Sequence, residues 1–350
     1  MNIQFQVQTG IDPVVDRYPA RTNPKREERN MKKLFLLVLC VSMVVVGAFA
    51  SGQGDKAASS GKTYIPLISK GFQHQFWQAV KKGAENAAKD LNVDITFEGP
   101  ESEAQVDKQI EMLQAALGKN PKALGIAALD SKAAIPLLQQ AQAKKIPIIA
   151  FDSGVDSDIP LTTVSTDNIV AAGVAADKLA EAIGYKGKVA ILVHDQTSRT
   201  GIDRRDGFLK RMKEKYPNIQ VLEPQYGGGD HLKSTEIAKA VINGNPDLKG
   251  YFGANEGSAI GIVNAVKELK MEGKLVVVGY DSGKLQIDAI RSGLMLGAVQ
   301  QNPVLMGYKT VEWAVRALKG ETPPKHVDSG YVWADKSNLD SPEVQGVIYQ

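Results

Sequence analysis

Thiols are almost missing from this sequence: its 350 residues include one cysteine, Cys40. A lone thiol can build neither an internal disulfide framework nor a cysteine-based metal site. The four histidines, His74, His194, His231 and His326, are scattered without the spacing of metal ligands, so no metal is expected. Signatures of catalysis and nucleotide binding are also missing. There is no HExxH, no GxxxxGKS or GxxxxGKT and no GxSxG, and no GxGxxG follows the first strand-like run. Gly227-Gly228-Gly229-Asp230 is a glycine-rich turn after Tyr226, a weak signal for phosphate. A concentrated basic face is lacking too. The net charge is +3, but cations and carboxylates are interleaved, which argues against nucleic acid as a partner. No cofactor is expected.

What is present is a globular composition, 43% apolar and 23% charged, in a chain long enough for two domains. Met31-Lys32-Lys33 is a short basic start to a charge-free run over residues 34–50, which closes on Ala48-Phe49-Ala50. The small-x-small ending fits a signal-peptidase site before Ser51, so residues 31–50 are expected to be a signal peptide. Residues 1–30 are polar and irregular and are expected to be a start-site artefact upstream of Met31. The alternative is an uncleaved membrane anchor, because the run approaches the lower length limit of a spanning helix. A lipoprotein fits less well, since Leu39 precedes Cys40 where a small residue is expected. Residues 51–61, rich in Gly, Ser and Ala, read as a flexible linker.

From Thr63 onward, short apolar runs alternate with amphipathic stretches. Strand-like runs cover residues 64–69, 93–97, 123–128, 147–151, 188–194, 220–223, 250–253, 275–280 and 296–300. Helix-like stretches cover 76–91, 105–117, 132–143, 169–183, 205–216, 234–242, 259–269 and 305–318. Such alternation implies an α/β fold of right-handed βαβ units with parallel sheets. The number of units asks for two open sheets in series, with a break near Val164-Ser165-Thr166-Asp167-Asn168.

One word occurs twice. Phe151-Asp152-Ser153-Gly154 follows the run ending at Ala150, and Tyr280-Asp281-Ser282-Gly283 follows the run ending at Gly279. Ligands of open α/β sheets bind outside the carboxyl ends of the strands, so two facing lobes would bring both carboxylates to one cleft. The plainer alternative is that these Asp and Ser residues cap the helices that follow. A carboxylate accepts two hydrogen bonds from vicinal hydroxyls, and the apolar face of a sugar lies flat on an aromatic ring. Phe76 and Trp77 begin the first helix just after the loop of residues 69–75. At least one of the two rings is expected to stack on ligand, since neighbouring helical residues cannot both face one core. Arg204, read as lying at the start of a helix, offers a donor fork. Asn255 offers donor and acceptor, although helix capping explains it equally well. Gln301 is placed to act similarly.

Taken together, Ile65-Pro66-Leu67-Ile68-Ser69, Phe76-Trp77, the segment from Ile146 to Asp152, Ser165-Thr166-Asp167-Asn168, Arg204-x-x-Gly207-Phe208, Ala254-Asn255-Glu256, Val278-Gly279-Tyr280-Asp281 and Gln301-Asn302-Pro303 resemble the periplasmic ribose/galactose-type sugar-binding proteins of ABC transporters, over residues 62–340. The resemblance implies a type I periplasmic binding protein: two similar Rossmann-like lobes with parallel sheets flanked by helices, joined by a three-segment hinge that closes on ligand. It implies an N-terminal lobe of residues 62–166 plus 302–326 and a C-terminal lobe of 167–301 plus 327–350. It also implies ligand contacts at Ser69, His74, Phe76, Trp77, Asp152, Ser153, Arg204, Asn255, Tyr280, Asp281 and Gln301. Ser153 stands where ribose-type members carry a second Arg, and Gly229 where a stacking aromatic is usual. Those departures leave open whether the guest is a pentose, a substituted ribose, a hexose or a linear polyol.

The function expected is therefore that of an exported, non-enzymatic, monomeric binding protein, periplasmic or otherwise extracytoplasmic, either free or tethered to the membrane. It would hand a sugar or polyol to the permease of an ABC importer, and a chemoreceptor is a further candidate partner. A LacI-like transcription regulator core is the alternative fold-mate, which needs an N-terminal helix-turn-helix. A glycosidase would need an acid and nucleophile carboxylate pair with one raised pKa.

Overall fold

The computed structural model describes residues 61–349. The expected leader at 1–30, signal peptide at 31–50 and linker up to residue 60, with Cys40, lie outside the described residues. In chain order the first elements are β1 (Tyr64–Ile68), α1 (Gln75–Asp90), β2 (Asp94–Glu98), α2 (Val106–Gly118), β3 (Leu124–Ile126), α3 (Ile135–Ala143), β4 (Ile148–Phe151) and β5 (Thr162–Ser165). There follow α4 (Asn168–Ala182), β6 (Gly187–Val193), α5 (Arg199–Lys215), β7 (Ile219–Val221), β8 (Gln225–Tyr226), α6 (His231–Gly244), β9 (Leu248–Gly253), α7 (Glu256–Glu268), β10 (Val276–Tyr280), α8 (Lys284–Ser292) and β11 (Gly297–Gln301). The chain ends with α9 (Pro303–Leu318), β12 (His326–Asp328), β13 (Tyr331–Asp335) and α10 (Pro342–Gln345).

Two sheets result. The first has the order β12-β5-β4-β3-β1-β2, and the second β13-β11-β10-β9-β6-β7, with β8 also on β6. Every pairing is parallel except β13 on β11. Strand alternation sorts the cores. Ala190 and Leu192 of β6 face a cluster with α6, α7 and α8, while Val189, Ile191 and Val193 face α4 and α5. Likewise Ile65 and Leu67 of β1 pack with α1 and α9, and Ile68 packs with α2 and α3. Both faces are covered, which is why these strands read as continuous apolar runs.

The chain passes between lobes after β5, after β11 and after β12. The expected third passage at 326/327 falls slightly later, because β12 stays paired to β5 through Asp328. A second correction concerns α5, which begins at Arg199 rather than near residue 205. Thr197-Ser198-Arg199-Thr200-Gly201 looks like a turn, but the Ser198 hydroxyl accepts from the Gly201 amide and starts the helix there. Arg204 is thus in the second turn. The sequence also gave no signal for α8, a nine-residue helix, nor for the short strands β8 and β12.

The α1–α9 crossing depends on glycine. A Cβ at Gly83 would lie 1.9 Å from the Val304 carbonyl oxygen, and one at Gly307 would lie 2.0 Å from that of Val80. Backbone thus touches backbone, and neither neighbour can rotate away. Gly83→Ala is expected to destabilise the protein by about 1–3 kcal/mol, the usual cost of overpacking, despite alanine's better helix propensity. Urea denaturation of the variant would check this, and an unchanged midpoint would contradict the tight crossing.

Candidate functional site

The repeated word forms two matching corners. Asp152 follows β4 and Asp281 follows β10, and each has a left-handed backbone, with φ of 54° and 80°. Each is held there by its own amide, Asp152 donating to the Val164 carbonyl at 2.9 Å and Asp281 to that of Val299 at 2.8 Å. Left-handed non-glycine residues are strained, and such strain concentrates at functional sites. Between the two corners stands Arg204. Its terminal nitrogens lie 4.0 Å from Asp152 and 3.9 Å from Asp281. Its Nε donates to Asn168 Oδ1 at 2.7 Å and a terminal nitrogen donates to the Ala254 carbonyl at 3.0 Å. Tyr280 lies flat beneath the guanidinium, 3.9 Å from ring centroid to Cζ, and its hydroxyl donates to the same Asn168 oxygen. Arg204 is consequently fixed in one rotamer from the second lobe.

A narrow cleft surrounds this triad. His74, Phe76, Trp77 and Asp152 line it from the first lobe, and Arg204, Asn255, Asp281 and Gln301 from the second. These eight expected residues are brought together. Three others are not. The Ser69 hydroxyl turns back on the Gly71 and Glu98 carbonyls. Ser153 is fully buried behind the corner. Tyr280 supports Arg204 from below instead of facing the cleft. Both Phe76 and Trp77 reach the cleft, packed edge-to-face at 5.0 Å.

Four lining residues escaped the sequence reading: Lys70, Glu103, His194 and Thr200. Lys70 is 2% exposed, and its ammonium donates to Thr200 Oγ1 at 3.1 Å, with Glu103 and Asp195 each at 3.8 Å. Glu103 in turn accepts from the Trp77 indole at 2.8 Å. The resemblance implies a contact at the neighbouring Ser69 instead, and β1 ends at Ile68, one residue before the expected end. Glu103 lies in a loop that carries no pattern.

The two carboxylate corners differ in what they hold. Asp281 Oδ1 accepts from Gln301 Nε2 at 2.7 Å, and its Oδ2 accepts from the Glu256 amide at 3.0 Å. Asp152 sits beside Arg204 without any comparable donor, so its lone pairs point into the cleft. Burial pushes Asp152 up to about 6, against the pull of Lys70 and Arg204. Burial would raise Glu103 too, but Lys70, His74, His194 and the Trp77 indole together hold it at about 2. Burial, helped by Lys70, keeps His194 neutral. Asn255 Oδ1 is used to cap α7 through the Ser258 amide, so the capping reading holds for its oxygen while its amide group remains for the cleft.

The lobes touch all round this space. Gln73 donates to the Gly229 carbonyl at 3.1 Å, Ser131 N to that of Thr197 at 2.9 Å, and Arg199 pairs with Asp156 at 3.3 Å. Among the described residues no group of three or more His, Cys, Asp or Glu could hold a metal ion. No described helix is long and apolar enough to cross a membrane.

Comparison with known proteins places this geometry. The family model described as a periplasmic binding protein domain matches residues 65–322. The D-allose-binding periplasmic protein of Escherichia coli is 28% identical over 261 residues, 72% of this chain and 84% of that protein. A carbohydrate transporter solute-binding protein from Agrobacterium radiobacter, solved with D-arabinose, has a TM-score of 0.80 at 34% identity and covers 83% of this chain and 100% of its own. An ABC transporter solute-binding protein from Agrobacterium vitis, solved with α-D-tagatopyranose, gives 0.78, 34%, 83% and 100% for the same measures. The match of sequence and fold across both lobes shows that the chain belongs to the periplasmic binding protein family, in its type I sugar-binding branch.

Proposed function

We propose that this protein closes its two lobes around one neutral monosaccharide, outside the cytoplasmic membrane, and delivers it to the permease of an ABC importer. The observation that carries the reading is Arg204 suspended between Asp152 and Asp281, one carboxylate from each lobe, with all three side chains buried. Carboxylates outnumber cations in the cleft: Lys70 pairs with Glu103, and Arg204 lies between two aspartates. No cation is left over for a phosphate or a sugar acid, whereas vicinal hydroxyls suit the open acceptor Asp152 and the donors Arg204, Asn255 and Gln301. Allose, arabinose and tagatose in the relatives' names support a hexose or pentose. Closure is a population shift, since only the shut form lets both lobes contact the guest. In the same proposal the chain acts as a monomer without turnover, and a chemoreceptor is a second docking partner.

A thermal-shift screen tests this. D-Allose, D-ribose, D-arabinose, D-tagatose and D-fucose are compared with maltose and glucose 6-phosphate. A cognate sugar at a thousandfold excess over its Kd contributes about 4 kcal/mol, which raises the midpoint on the order of 8 °C. A response to the phosphate ester alone, or to none of the monosaccharides, would overturn the reading.

A further inference from the structure

Two helices, α1 and α8, begin against the opposite lobe, and neither is capped by a side chain at its own N-cap. Six of the ten described helices carry a capping side chain at the N-cap itself: Asp167, Ser198, Asp230, Asn255, Asn302 and Ser341. At α1 the N-cap His74 makes no capping bond, and at α8 the N-cap is Gly283, which has no side chain. Each receives its cap from across the cleft. The Gln75 amide of α1, in the first lobe, donates to Glu256 Oε1 of the second at 3.3 Å. The Lys284 amide of α8, in the second lobe, donates to Gln75 Oε1 of the first at 2.7 Å. Gly283 makes the exchange sterically feasible: a Cβ there would lie 2.6 Å from Glu256 Oε1. The residue that leaves α8 uncapped is therefore the one that admits the cap of α1.

We propose that Gln75 and Glu256 are positioning residues that latch the lobes shut, Glu256 of the second lobe capping α1 and Gln75 of the first capping α8. Neither lines the cleft. Both bonds exist only when the lobes meet, so they favour closure rather than the folding of either lobe. They also hold the first turn of α1, from which Phe76 and Trp77 enter the site. A missing cap typically costs a factor of about five, so each loss, with the charge at Glu256 held constant, should lower the closed-to-open ratio about fivefold and both together about 25-fold.

The latch is sensitive to protonation. Facing Glu256 are the carboxylates of Asp281 and Glu103, the phenol of Tyr349 and the amides of Gln75 and Phe76, with no ion-pair partner among the described residues. Its second oxygen has no hydrogen-bond partner. Burial, then Asp281, pushes it from 4.5 up to about 8. A group raised on closure favours the closed form fully below its ordinary range and loses that effect as pH rises through about 8. Glu256→Gln keeps an acceptor for the cap and removes the titration.

The test uses the full chain with Cys40→Ser and spin labels at Lys89→Cys and Lys267→Cys, exposed positions on α1 and α7. Distances are measured without sugar and with D-allose, between pH 5.5 and 8.5. The latch predicts a measurable closed population without sugar, reduced about fivefold in Gln75→Ala relative to wild type and about fivefold in Glu256→Ala relative to Glu256→Gln, while Glu256→Gln itself closes more than wild type near neutral pH and with a flatter pH profile. A sugar-free protein with no closed population, ratios within twofold both between Gln75→Ala and wild type and between Glu256→Ala and Glu256→Gln, or an unchanged pH profile in Glu256→Gln overturns it. The inference rests on the sugar-binding reading only for D-allose: if D-allose leaves every distance unmoved, that reading is damaged, while the sugar-free ratios still decide the latch.

Discussion

Arg204→Met is expected to lower affinity for the sugar identified by thermal shift at least 100-fold. Methionine keeps the length and apolar stem of arginine, so packing on Tyr280 survives in part. The charge does not. Asp152 and Asp281 would then share a buried site with no cation between them, and breaking a buried ion pair by deleting one partner typically costs about 3–5 kcal/mol. Asn168 Oδ1 and the Ala254 carbonyl would lose their donors as well. Without the guanidinium, burial would drive Asp152 further toward its protonated form, where it cannot accept from two hydroxyls. Arg204→Lys should not rescue, because one ammonium cannot replace a planar fork that serves two carboxylates, a side-chain amide and a carbonyl. Calorimetry on both variants is the measurement. Binding within threefold of wild type in Arg204→Met would mean that the residue is architectural only.

The second large effect separates two residues that look equivalent. Asp152→Asn is expected to weaken sugar binding about 100-fold while stabilising the sugar-free protein above pH 6. Asparagine tolerates the left-handed backbone at this corner, so the loop keeps its shape. What is lost is the charged acceptor that faces the cleft. The stability effect has a definite sign. Asp152 is raised from 3.8 to about 6, so wild type loses stability relative to the asparagine variant as pH rises through that window. The full difference is about 3 kcal/mol at neutral pH and vanishes below pH 4. Asp281→Ala should behave differently. It also costs at least about tenfold in affinity, but it frees Gln301 Nε2 and the buried Glu256 amide, each an unsatisfied donor worth about 1–3 kcal/mol, so its melting point falls. Melting curves of both variants at pH 4.5 and 7.5 would show the contrast; parallel curves would mean that the corners share one role.

The alternation of apolar runs and amphipathic stretches settled the α/β class and the strand core, because a strand covered on both faces has no polar position to spare. The aromatic-Asp-Ser-Gly word, read twice at strand ends, located both corners of the cleft, because topology puts strand carboxyl ends on one side of a parallel sheet. Those features are local or periodic, and periodicity survives in one dimension. Tertiary structure alone decided the rest. Lys70 and Glu103 come from separate loops, and what joins them is a pair of side chains meeting across 3.8 Å, which no spacing encodes. The resemblance implies Ser69, but its hydroxyl is taken by backbone carbonyls, and it is the next side chain, Lys70, that reaches the cleft. The start of α5 was hidden because a cap and a turn use the same residue types. The caps that Gln75 and Glu256 trade between lobes were equally out of reach: 181 residues separate the two, and only closure makes them neighbours.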